Sequence, residues 1–87
     1  MTSNDLNYIG ADLRGVDFRG RDLTGGQFQY ADLRDALLSR ATLNKAIFFH
    51  ADMRGVQADE ATMRGVDMRR AKVNNGNFNW TRLSDSS

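Results

Sequence analysis

The 87 residues carry 12 basic and 11 acidic side chains, a formal net charge of +1, with 40% hydrophobic residues and neither cysteine nor proline. Disulfides and thiolate metal sites are excluded, one histidine cannot hold a zinc ion by itself, and the charge balance gives no pull toward nucleic acid or an anionic membrane. A chain this short makes one small domain at most and depends on regular packing or on a partner. A mean hydropathy of −0.57 lies near compositions that stay disordered, so any order has to show in where the apolar residues fall.

In chain order, MTSND (1–5) reads as an N-terminal tail, without the basic start and apolar run of a secretory signal. From residue 6 the chain divides into pentads with a large apolar residue in the third place: Tyr8, Leu13, Phe18, Leu23, Phe28, Leu33, Leu38, Leu43, Phe48, Met53, Ala58, Met63, Met68, Val73, Phe78 and Leu83. All 16 are apolar, which at 40% apolar content happens by chance about twice in a million trials over the five possible frames. These residues are the expected core. The first place of each pentad is small almost throughout, and the two places point to the same side of an extended segment.

A strict period of five drifts around a helix and breaks the alternation of a flat strand. It works if the chain turns a corner once per pentad, and Gly10, Gly15, Gly20, Gly25, Gly55 and Gly65 in the fifth place fit a corner of positive φ. ADLRG at 11–15, ADLRD at 31–35 and ADMRG at 51–55 return every 20 residues. Four corners then close one circuit, and successive circuits stack at strand spacing. The reading is all-β, about four coils of 20 residues forming a single domain over 6–85, with 86–87 as a C-terminal tail.

The units resemble those of the pentapeptide-repeat family, Ala-(Asp/Asn)-Leu-X-X, over nearly the whole chain. That resemblance implies a right-handed quadrilateral β-helix, a pentapeptide-repeat solenoid. The pattern breaks at Arg21, Gly26 and Gly76 in the small place, at Leu37 and Ile47 in the second place, and at Ala58 in the large one. Arg21 is expected to snorkel outward toward Asp22 or another carboxylate. Ala58 is expected to be compensated by Met53, Met63 and Met68 in flanking places. The Asp12/Asp32/Asp52 and Arg14/Arg34/Arg54 columns read as a solvated salt ladder on one outer wall.

No nucleophile–base arrangement, paired catalytic carboxylates in a cleft, or phosphate-binding loop is present in the sequence, so no enzyme, cofactor, metal or small-molecule substrate is expected. No stretch reaches the ~18 apolar residues of a membrane span, and a soluble, cytoplasmic protein is the expectation. The function expected is a structural or protein-interaction scaffold. The alternative, implied by the family resemblance, is a DNA-mimic that binds gyrase, as the quinolone-resistance members do; a mimic should be strongly acidic, and this chain is not. Stacking the pentads that begin at 6, 26, 46 and 66 gathers Ile9, Tyr30, Ile47, Phe49 and His50 on one wall, a candidate partner-binding patch rimmed by Arg69 and Arg70. Trp80 is placed near an open coil end, a second candidate interface for a partner or a homodimer.

Overall fold

The computed structural model describes residues 6–79 and 81–84. Its backbone is a coil, with residue 6 at the top, in which each residue in the second place of a pentad bridges, in parallel, the residue 20 positions on. The bridges fall into four ladders: Asn7–Gln27–Ile47–Asp67, Asp12–Asp32–Asp52–Lys72, Asp17–Leu37–Gln57–Asn77 and Asp22–Thr42–Thr62–Arg82. They define a first wall (6–10, 26–30, 46–50, 66–70), a second (11–15 and its repeats), a third (16–20 and its repeats) and a fourth (21–25 and its repeats). The pairing is by single bridges separated by turns, which is what a corner every five residues leaves of a strand.

The backbone amides are accounted for place by place. The third-place N–H donates to the second-place carbonyl one coil on, as Leu38 does to Gln57 at 2.6 Å, and the second-place N–H returns a bond to the previous coil, as Gln57 does to Ala36 at 2.9 Å. The fifth-place N–H also donates to the next coil, as Tyr30 does to Phe49 at 3.0 Å. The first-place N–H closes the turn onto the preceding large residue, as Ala31 does onto Phe28 at 3.1 Å. That leaves the fourth place, whose N–H, wherever an Asp or Asn stands two residues earlier, is capped by that side-chain oxygen: Asp12 for Arg14, Asp17 for Arg19, Asp52 for Arg54 and Asn77 for Asn79. The repeated Ala-Asp of the sequence is therefore a turn device, an acceptor that competes well for a nearby N–H. Proline would remove one of these donors at almost any place.

The corners have positive φ whether or not glycine occupies them. Tyr30, Asp35, Arg40, Lys45, His50, Glu60, Arg70 and Asn75 sit at φ 59–63°, beside glycines at 66–75°. The closure of the coil imposes the left-handed conformation on side chains that disfavour it.

The core runs up the axis. Tyr8, Phe28 and Phe48 stack face to face on the first wall, at centroid separations of 5.2 and 5.0 Å. Leu33, Leu38, Leu43, Met53 and Met63 are fully buried around them, and Ala58 is fully buried in the same cluster as both methionines. Two expected core residues are not buried: Val73 and Leu83 are 41% and 44% exposed. Tyr8, Leu13, Met68 and Phe78 are only partly covered. Each of these lies in the first or the last described coil, where a neighbouring layer covers it from one side.

Arg21 faces out, as expected, and the carboxylate it acts on is Asp17, not Asp22. The guanidinium lies 5.8 Å from the Phe18 ring centroid, while Asp22 accepts from the Thr24 hydroxyl at 2.6 Å. Glycine in the small place also has a cause. A Cβ at Gly26 would meet the Phe28 ring, and one at Gly76 the Phe78 ring.

Candidate functional site: the aromatic wall

On the first wall the fourth places stack Ile9, Gln29, Phe49 and Arg69, and the corners stack Gly10, Tyr30, His50 and Arg70. Tyr30 and His50 lie in parallel with centroids 5.1 Å apart. Phe49 meets His50 edge-on at 4.5 Å and Tyr30 edge-on at 5.9 Å. Arg69 closes the cluster from the next coil, its guanidinium 5.4 Å from the Phe49 centroid. That guanidinium is also held in a two-bond fork by Asp67, at 2.8 and 2.9 Å, so the charge rests on the ring at low entropic cost.

The corner geometry makes this possible. Because Tyr30 and His50 share a positive φ, their side chains leave the backbone in the same direction and stack across the 20-residue repeat. Tyr30 is 59% and Ile9 50% exposed, whereas Phe49 and Ile47 are half-buried. Gln29 stands between Ile9 and Phe49 in the column, so Ile9 is set apart from the aromatic group; the buried Gln29 Oε1 has no hydrogen-bond donor. Of the residues expected here, the structure brings together Tyr30, Phe49 and His50 and places Ile47 and Ile9 on the same wall. Trp80 lies outside the described residues. Arg69 belongs to the cluster itself, a part that residue type alone assigns to a rim.

The second wall is an ion-pair ladder. Asp12–Arg14, Asp32–Arg34 and Asp52–Arg54 are forked pairs within one pentad at 2.6–2.9 Å. Each upper arginine also reaches the aspartate of the next coil at 3.8 Å. Hydrogen bonds from the Arg14 side chain, and then from its backbone N–H, hold the Asp12 carboxyl down at about 2. Asp17 and Asp67 are held at about 2 in the same way by Arg19 and Arg69. The third wall has a recess of about 370 Å³ lined by Arg19, Gly20, Ser39, Arg40 and Asp59. Its cations are already matched, Arg19 by Asp17 and Arg40 by Glu60 at 3.6 Å, and the Asp59 carboxylate accepts from the Ser39 hydroxyl. Among the described residues no group of three or more His, Cys, Asp or Glu could hold a metal, and no helix is long and apolar enough to cross a membrane.

A β-solenoid wound from five-residue units, with its polar places committed to turn caps and ion pairs, defines a repeat protein. The family pattern described as pentapeptide repeats matches residues 7–40, 22–65 and 46–85, in 8 copies. The chain belongs to the pentapeptide-repeat family. Among solved structures it is similar to a pentapeptide repeat protein of the Arabidopsis thaliana thylakoid lumen, with 37% identity and a TM-score of 0.90 over 91% of this chain and 55% of that one. A pentapeptide repeat protein of the cyanobacterium Cyanothece 51142 gives a TM-score of 0.90 at 20% identity, over 92% of this chain and 55% of the other, a likeness of fold alone. HetL of Nostoc sp. strain PCC 7120, a pentapeptide repeat protein involved in heterocyst differentiation regulation, gives 0.65 at 25% identity over 93% and 44%. The chain thus spans about half the length of the first two solved relatives. No curated protein matches it.

Proposed function

We propose that the protein is a non-enzymatic interaction scaffold, a right-handed quadrilateral coil that offers its first wall to a protein partner. The observation that carries this reading is the Tyr30–His50–Phe49 cluster capped by Arg69, built from three successive coils. Aromatic and arginine side chains dominate the energetics of protein interfaces, and those already held in place lose least on binding. Elsewhere the second wall is occupied by its own ion pairs, which leaves its arginines and aspartates already partnered. HetL, related in fold, is described as a protein involved in regulation, which suits a binding role. The acidic-mimic alternative has less support, because forked arginines match the aspartates of the second wall one for one.

The test is photo-crosslinking in the source cell, with a photoreactive residue at position 49 or, as a control, at position 34. A defined adduct from position 49 only, lost when Ile47→Thr is added, is the expected result. Equal adducts from both positions, or none from position 49, would overturn the reading.

A further inference from the structure

Arg64 is the one arginine in the fourth place of a described pentad that lacks an aspartate two residues earlier; its pentad reads Ala61-Thr62-Met63-Arg64-Gly65. Arg14, Arg19, Arg34, Arg54 and Arg69 each fork onto such an aspartate. Thr62 replaces both functions of that aspartate with neither. The Arg64 N–H is capped instead from the coil above, by Asn44 Oδ1 at 3.1 Å, and the guanidinium makes no ion pair among the described residues.

A second cation stands beside it. Lys45 occupies the corner one coil above Gly65, and its backbone N–H donates to the Arg64 carbonyl at 2.8 Å. Its side chain passes over Gly65, with Cγ 3.6 Å from where a Cβ would stand there, and it too has no carboxylate partner among the described residues. Asn44, Lys45, Arg64 and Gly65 line a recess of about 300 Å³ on the fourth wall. Among the described residues the corner column reads Gly25, Lys45, Gly65 and the adjoining column Thr24, Asn44, Arg64, Ser84, with no acid in either; Asp5 and Asp85, in the outer places of the corner column, lie outside the described residues. The third-wall recess, by contrast, has a carboxylate partner for each of its cations.

We infer that this recess receives a carboxylate from an acidic segment of a partner protein, the Arg64 fork and Lys45 ammonium taking the place of the ion pair that Thr62 withholds. The fold itself supplies the template: the same guanidinium, in the same place of the pentad, takes a carboxylate with both nitrogens at 2.6–2.9 Å five times on this surface. A forked carboxylate fits an arginine better than a single point charge, and the ammonium adds a second donor. The inference rests on the scaffold reading and adds the chemistry of the partner, an acidic stretch that crosses the corner between the fourth wall and the first.

The experiment uses the substitution that completes the ion pair from within. Thr62→Asp keeps both cations but hands Arg64 the carboxylate its equivalents have, and Arg64→Gln removes the fork. Both are compared with the native chain by amide chemical-shift mapping, with an oligoglutamate peptide as probe and inorganic phosphate at matched ionic strength as the second arm. The expected result is that the peptide moves the Asn44, Lys45, Arg64 and Gly65 resonances in the native chain and binds roughly tenfold more weakly to either variant. Circular dichroism should be unchanged in both. Peptide shifts that persist in Thr62→Asp, or that spread evenly over the arginines of the second wall, would overturn the proposal. So would phosphate moving the same resonances as strongly as the peptide. Crosslinking from position 49 reports on the aromatic wall separately, so failure of the recess and failure of the scaffold reading give different results.

Discussion

Gly25 stands at φ 75° with nothing within 4 Å of where a Cβ would sit, so a substitution there measures backbone torsion and no clash. We expect Gly25→Ala to cost ~1–2 kcal/mol, the penalty of the left-handed region for a residue with a side chain. The reverse change at a corner that already carries the penalty, Asp35→Gly, should leave stability unchanged or raise it by up to ~1 kcal/mol. It also frees the space over Gly55, where a Cβ would meet the Asp35 carboxylate. Urea midpoints at constant slope check both, and equal losses in the two variants would mean that closure of the coil does not impose the corner torsion. Side chains on the axis obey a different rule. Phe28 and Phe48 are fully buried and stacked on each other, and Phe48→Ala should cost ~3–5 kcal/mol, enough to unfold much of so small a domain. Arg34→Ala, on a half-buried surface pair, should move the urea midpoint far less.

Pentads with an aspartate in the second place are stabilised by that acceptor, and it carries the pH dependence. Asp12, Asp17 and Asp67 are held at about 2 by the arginine two residues on, below the ordinary value of 3.8. A carboxylate depressed in the folded chain contributes stability that is fully present above its unfolded value and is lost as pH falls through the folded one. The melting temperature should therefore hold from neutral pH down to about pH 4 and then fall toward pH 2. Asp12→Asn together with Asp17→Asn should flatten that fall while keeping the fold, because Asn7 and Asn77 already cap their turns with an amide oxygen. An unchanged acid limb in the double variant would count against these pairs as its source. The pentad itself was legible in the sequence, since Ala-Asp-Leu states its small, capping and large places directly. What escaped was the direction of the ion pairing. The sequence aligns the Asp and Arg columns, but only the turn geometry makes each pair fork within its own pentad, with the cross-coil contact the longer one.

Over the whole molecule the 20-residue return decides nearly everything, and it was readable because three nearly identical phrases mark the same wall. The aromatic wall followed from that register without coordinates; its internal geometry did not, since stacking of Tyr30 on His50 depends on both corners sharing a positive φ. The recess at Arg64 was missed for a plainer reason: Thr62 is an ordinary residue until its place is known to belong to an aspartate. Val73 and Leu83 were placed in the core because a period assigns every layer two neighbours, and the outermost described layer has one. The same asymmetry predicts how the molecule opens. In a solenoid each layer is stabilised by its neighbours, so layers whose core side chains are partly exposed should open first and the layers whose core side chains are fully buried should exchange only on global unfolding. The third-place amides of Phe28, Leu33, Leu38 and Leu43 donate to the next coil at 2.6–2.8 Å from buried residues, whereas Met68 is half-buried and Val73 exposed. Native-state hydrogen exchange should therefore find a gradient, with the Met68 and Val73 amides exchanging fastest and the Phe28 to Leu43 set protected to the full unfolding free energy. In urea the first set should exchange with a small slope and the second with the slope of global unfolding. One slope shared by all of these amides would mean that the coils open together, and the layer-by-layer account would fail.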